Sequence, residues 1–215
     1  MSRHLVTVGT RLSPLALWQT DYVLDLLMSF GKDIACEKRI FITQGDKRID
    51  QPLAEIGGKG LFTLELENAL REGDIDIAVH SLKDLPVQEP DGITVGAIVG
   101  RADVRDVLVS GSGESIHSLA TGSTIGSSSP RRKAQVLAVR PDLFVEPIRG
   151  NVETRIRKVM EGNFDGAILA AAGMTRLGLQ SRITQWLPLE LMLPAPGQGA
   201  LAVQCRADDE ETLAL

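Results

Sequence analysis

Short apolar runs alternate with segments whose apolar positions recur every three to four residues, and the alternation persists along the chain. The runs predict strands at Leu5–Val8, Arg39–Thr43, Ile75–Val79, Ile93–Ile98, Val107–Ser110, Thr124–Gly126, Phe144–Ile148, Gly166–Ala170 and Leu201–Cys205. Helical spacing predicts helices at Pro14–Ser29, Leu61–Arg71, Pro130–Val139 and Val152–Glu161. In the first helix Leu15, Trp18, Tyr22 and Leu26 share a face. In the second, Leu61, Leu64, Ala69 and Leu70 point inward and Glu65 and Glu67 outward. Gly166–Ala170 is nearly continuous in apolar character, as expected of a strand covered on both faces.

Strands alternating with helices of this length define an α/β fold with largely parallel sheets. Two breaks in the rhythm divide the chain. Gly100–Asp103 interrupts it after the fourth strand, and the Pro/Gly-rich Leu193–Gly199 interrupts it before the last. The expected organisation is a first domain of residues 1–99 plus 200–215 and a second of 104–193, joined by hinges at 100–103 and 194–199. Between two such lobes lies a cleft, where ligands bind at the carboxyl ends of strands.

Composition narrows the classes. Of 215 residues, 43% are hydrophobic but only 4% aromatic, so the cores are aliphatic and base-stacking surfaces are disfavoured. The net charge of −5 argues against a nucleic-acid partner. No stretch approaches a membrane span, and the N-terminus has no secretory h-region, so the expectation is a cytoplasmic monomer. Cys36 and Cys205 lack the spacing of metal or redox motifs, and His4, His80 and His117 are scattered, so no metal site is expected.

Against that acidic background, basic residues gather where strands give way to loops or helices. Arg11 follows the first strand, with Ser13 as N-cap and Pro14 at the first helical position. The device recurs at Ser128, Ser129, Pro130, Arg131 and Arg132. Free N–H groups at a helix start attract anions, and arginines close on them. Either element alone reads as a capped helix with solvated arginines; two together favour paired anion sites. Arg149 ends another strand, Gly150 permits close backbone approach, Asn151 caps the next helix and Arg155 lies one turn into it. Lys59 sits in a Gly-rich segment at the base of the polar stretch 44–60, read as a mobile flap; it lacks the spacing of a phosphate-binding loop. Ser81, Lys83 and Asp84 follow the third strand. Lys83 and Asp84 could form only a surface ion pair, but at the rim of an arginine-rich cleft Asp84 stays ionised and can stabilise a developing cation.

The strings SPLALWQ, GGKGLF, AVHSLKDLP, SSSPRR, RGNVETR, AAAGMTRLGL and LPAPGQGAL resemble the porphobilinogen deaminase (hydroxymethylbilane synthase) family over essentially all 215 residues. The resemblance implies two periplasmic-binding-protein-like lobes followed by a small third domain, missing here. It implies a transferase of haem biosynthesis that polymerises four porphobilinogen molecules into hydroxymethylbilane with release of ammonia. Asp84 would be the catalytic carboxylate. Arg11, Lys83, Arg131, Arg132, Arg149, Arg155 and Arg176 would bind acetate and propionate groups, and Ser13, Ser81, Ser128, Ser129 and Gly150 would supply further donors, with Lys59 near the mobile loop. The family's dipyrromethane cofactor hangs on a cysteine of the third domain, and neither Cys36 nor Cys205 matches that position. The charged end 208–215 reads as a helix start, which points to a fragment of a longer chain or a short family member. The alternative function is a non-catalytic anion- or tetrapyrrole-binding module.

Overall fold

The computed structural model describes residues 4–30, 34–47 and 60–215. The elements run β1 (His4–Arg11), α1 (Pro14–Phe30), β2 (Ile34–Phe41), α2 (Gln44–Lys47), α3 (Leu64–Arg71) and β3 (Ile77–Ser81). A 3₁₀ turn (Leu82–Asp84), β4 (Ile93–Arg101), β5 (Asp106–Ser110), β6 (Thr124–Gly126), α4 (Pro130–Val139) and β7 (Phe144–Glu146) follow. The chain continues through α5 (Val152–Met160), β8 (Gly166–Ala170), α6 (Ala171–Arg176), β9 (Gln185–Trp186), β10 (Ala200–Arg206) and α7 (Glu210–Leu213).

The strands form two five-stranded sheets, ordered β2-β1-β3-β10-β4 and β7-β6-β8-β5-β9. Each sheet belongs to a separate compact unit: Ala102–Gly199 builds the second sheet, and the chain on either side of it builds the first. The sheets are mixed rather than largely parallel. β1 pairs in parallel with β2 and β3, and β6 with β7 and β8. β10 is antiparallel to β3 and β4, and β5 to β8 and β9. The apolar pattern of a buried strand is the same in either direction, so direction is set by the connections and not by the run itself.

Apolar side chains cover both faces of each sheet. On one face of the first sheet, Val6, Val8, Ile77, Val79, Leu201 and Val203 pack against Val23 and Leu24 of α1. On the other, Ala78 and Ile93 meet Leu66, Ala69 and Leu70 of α3. In the second sheet Leu108 faces the cluster containing Ile125 and Val136, while its neighbours Val107 and Val109 face Ile156 and Met174. This is the period-two alternation of a strand buried on both sides.

Two helix faces differ from the expected ones. α1 buries Ala16, Gln19, Thr20, Val23 and Leu24. Trp18 and Tyr22 stack on its exposed side instead, with centroids 5.5 Å apart and planes 6° from parallel. Gln19 and Thr20 tolerate burial because each has a partner: Gln19 donates to Ser81 Oγ at 2.9 Å and Thr20 to Thr10 Oγ1 at 2.7 Å. α3 begins at Leu64, three residues later than expected, with Leu64 exposed. Its inward stripe is Thr63, Leu66, Glu67 and Leu70, so Glu67 is buried rather than exposed.

Strand limits shift as well. β2 starts at Ile34 and ends at Phe41, because the Thr43 amide and hydroxyl turn to Asp46 and open α2. β3 spans Ile77–Ser81, and β7 stops at Glu146. Among the described residues no helix is long and apolar enough to cross a membrane.

Candidate functional site

The first unit holds a small open pocket of about 60 Å³ at the carboxyl ends of β1 and β3. Arg11, the last residue of β1, enters its wall. The guanidinium makes a two-pronged ion pair with Asp46, with Nε 3.1 Å from Oδ2, and its carbon stands 4.4 Å from the Phe62 ring centroid. Burial pushes the Asp46 carboxyl up, but hydrogen bonds from Arg11 and Thr43 outweigh it and leave the group below its ordinary value. Asp46 therefore holds Arg11 in a fixed orientation.

Ser13 caps α1, accepting the Ala16 amide at 3.3 Å, and its hydroxyl joins the pocket lining. Ser81 closes β3 and accepts from Gln19. The 3₁₀ turn that follows, closed by the Leu85 amide on Leu82 O at 3.2 Å, presents Asp84 at the rim with its side chain exposed. His80 lies behind them. Burial, reinforced by the charge of Arg11, lowers its pKa to about 4, so the imidazole is neutral at ordinary pH.

The pocket thus brings together Arg11, Ser13, Ser81 and Asp84. It can hold a carboxylate against Arg11 while Asp84 faces positive charge. Sequence reasoning missed Gln19, Asp46, Phe62, Thr63 and His80. His80 stands inside AVHSLKDLP, directly before Ser81, and its place in that string was the available signal. Asp46 and Gln19 carry none, since their roles depend on partners far along the chain. Lys59 lies outside the described residues, as does most of the stretch read as a flap.

Lys83 lies in the same 3₁₀ turn as Asp84, and the second unit carries Arg131, Arg132, Arg149, Arg155 and Arg176. Ser129 caps α4 by accepting the Arg132 amide, with Pro130 at the first position. Ser128 donates to Ile148 O at 2.8 Å and accepts the Ile148 amide at 3.1 Å. Arg131 and Arg132 converge on Asp106, whose carboxylate is fully buried, at 2.8 and 2.7 Å. Arg132 also donates to Ile168 O at 2.9 Å, and Arg131 to Leu193 O. Arg132 is itself buried, so much of its guanidinium is committed to the protein. Arg155 Nε donates to Gly150 O at 2.9 Å, and Gly150 has φ +109°, a conformation that favours glycine. Burial draws the Arg149 guanidinium below its ordinary pKa. Arg176 donates to Gly199 O at 2.7 Å.

The fold defines a class before any particular family. The chain is similar to the Escherichia coli periplasmic aliphatic sulphonate binding protein SsuA, with a TM-score of 0.54, 11% identity, and coverage of 98% of this chain and 64% of that one. It is equally similar to the BenM effector binding domain, with a TM-score of 0.55, 14% identity, and coverage of 100% and 92%. At such identities the likeness establishes the two-unit α/β fold alone.

Residues 6–214 match the family described as "Porphobilinogen deaminase, dipyromethane cofactor binding domain". The porphobilinogen deaminase of Brevibacillus brevis is 53% identical over 208 residues, 97% of this chain and 67% of the relative. That of Paenibacillus macerans is 46% identical over 215 residues, 98% of this chain and 66% of the relative. The chain belongs to the porphobilinogen deaminase family and spans about two thirds of the length of these curated relatives. The family's cofactor is a dipyrromethane.

Within each unit taken by itself, basic residues suit the carboxylates of such a group: Arg11 lines the pocket of the first unit, and in the second Arg149 and Arg155 stand on either side of Gly150 between β7 and the first turn of α5. The described residues do not fit its covalent attachment. Cys205 is buried in the apolar layer beneath α1, Cys36 is half-buried in β2, and neither lines the pocket; burial raises both thiols above their ordinary pKa.

Proposed function

We propose that this chain contributes the substrate-binding and catalytic surfaces of a porphobilinogen deaminase, which joins porphobilinogen units into hydroxymethylbilane in haem biosynthesis. One observation carries the reading: Asp84 shares a single pocket with Arg11 and with the hydroxyls of Ser13 and Ser81. Arg11 receives a substrate carboxylate there. Asp84 accepts the pyrrole N–H and stabilises the cation left when the amino group of the aminomethyl substituent departs as ammonia, its methylene carbon remaining on the ring. A carbon of the growing chain then attacks the exocyclic carbon of that cation, and loss of a ring proton restores the aromatic pyrrole. When bound, the dipyrromethane supplies the primer from which the chain grows. Lys83, Arg131, Arg132, Arg149, Arg155 and Arg176 bind further acetate and propionate groups, assisted by Ser128, Ser129 and Gly150; Lys59 acts from the neighbouring loop. In the same reading the protein is a cytoplasmic monomer, and it acts on a small molecule rather than on nucleic acid, which its acidic net charge of −5 and scarcity of aromatics support.

Substituting Asp84→Asn tests the assignment. Ammonia release from porphobilinogen is expected to fall by at least about 100-fold, the scale for removing an electrostatic stabiliser, with circular dichroism and melting temperature unchanged. Undiminished turnover would sink the role of Asp84. A second reading is binding without catalysis by these two units. Measurable porphobilinogen binding with no ammonia release from the unsubstituted chain would establish it.

A further inference from the structure

Four polar residues lie in the otherwise apolar layer between α3 and the first sheet. Thr63, Glu67, His80 and Gln204 are 1%, 5%, 5% and 1% exposed. Each carries a fully buried polar atom with no hydrogen-bonding partner among the described residues: Thr63 Oγ1, Glu67 Oε1, His80 Nε2 and Gln204 Oε1. Buried polar atoms are nearly always satisfied, so four orphans in one layer call for a shared explanation.

The topology places them in two tiers. Thr63 and His80 both line the Asp84 pocket. α3 leads away from Thr63, and β3 returns toward His80. Glu67 lies four residues beyond Thr63 along the helix, about 6 Å deeper. Gln204 pairs with Ala78, two residues back from His80 and about 6.6 Å deeper. Ala78 packs on Leu66 and Leu70, which fixes this as the α3 side of the sheet. His80 and Gln204 alternate onto the same side, and Thr63 and Glu67 share the helix stripe with Leu66 and Leu70. Glu67 and Gln204 thus form a second tier behind Thr63 and His80.

Glu67 Oε1 and Gln204 Oε1 are acceptors, while the Thr63 hydroxyl and the His80 imidazole accept or donate according to rotamer and tautomer. Two acceptors in one buried layer, one of them a carboxylate, favour a small guest that can donate to both, and the hydroxyl and imidazole can complete its shell. We propose that these four side chains frame a buried site for a small hydrogen-bond donor, water or ammonium, set directly behind the pocket that holds Asp84. The inference deepens the deaminase reading, on which ammonia is released in that pocket at each condensation. The site would be the first polar compartment that the leaving nitrogen meets, and in the resting protein water occupies it.

A crystal structure of this chain at about 1.2 Å, from ammonium-free solution, tests the site. The expected result is density within hydrogen-bonding distance of at least two of the four atoms. Direct bonds among the four, with nothing between them, would overturn the proposal. The two guests are separated by titrating ammonium chloride against sodium chloride while following the His80 imidazole by NMR. A shift specific to ammonium assigns ammonium; identical responses with density present assign water alone. Glu67→Leu provides an independent check, because an apolar side chain stabilises a dry layer but strands the remaining polar atoms of a wet one. A raised melting temperature would overturn the proposal. None of these readouts needs turnover, so all would stand if the deaminase reading failed, and Asp84→Asn should leave the density in place.

Discussion

Asp106 carries no exposed surface, yet it is held in its ionised form. Burial alone would push its carboxyl up, but the hydrogen bonds and charges of Arg132 and Arg131 outweigh it and set the pKa below the ordinary value. Gln198 adds a third donor at 2.9 Å. Asp106→Asn leaves two guanidinium groups facing a neutral amide in a buried setting, and should destabilise the protein by about 3–5 kcal/mol in denaturant titrations at pH 7. The folded pKa is depressed, so the stabilisation is complete above the ordinary value of 3.8 and disappears as pH falls through the folded value. The difference between wild type and variant should therefore narrow only below about pH 4.

His80 titrates in a different window. Its folded pKa of about 4 lies below the ordinary 6.5, so between these values the unfolded chain binds the extra proton. Stability should fall as pH drops from 6.5 toward 4, by up to about 1.4 kcal/mol per pH unit. Chemical denaturation across that range checks the slope, and His80→Asn should flatten it. An unchanged slope in the variant would show that another group controls this window.

At the level of elements, what was legible in the sequence had local causes. The cap at Ser129 followed by Pro130 marked the start of α4, and Thr124–Gly126 and Gly166–Ala170 stand where the apolar runs placed them. Features that depend on distant partners were not legible. Periodicity assigned Trp18 and Tyr22 to the inner face of α1, but Gln19 turns inward because Ser81 awaits it 62 residues later. Glu67 looked like a solvated charge, and nothing adjacent to it announces the layer it enters. The antiparallel direction of β10 against β3 and β4, and of β5 against β8 and β9, escaped for the same reason. The candidate site was legible in parts: Arg11, Ser13, Ser81 and Asp84 stood out as strand-end residues, whereas Asp46 and His80 acquire meaning only when β1, α2 and β3 are assembled.

At the level of the whole molecule, the two units differ in continuity. Ala102–Gly199 contains every strand of its own sheet. The first sheet depends on β10, which bonds to both β3 and β4 and is buried from Ala200 to Cys205. A fragment of residues 102–199 should fold alone, with a cooperative melting transition and dispersed amide NMR signals. A chain ending at residue 199 should keep that transition but lose the protection of β3 and β4 amides in hydrogen exchange, because their shared partner is gone. Full protection of those amides would refute the dependence.

The central position of β10 also imposes a schedule on synthesis. β4 leaves the ribosome roughly 100 residues before β10 does, a delay of about 5–20 s at ordinary elongation rates. Throughout that interval β3 and β4 each present an unpaired backbone edge, while the later-made unit is already free to fold. The nascent chain is most prone to aggregate in that window, which makes it the natural point for a chaperone to engage.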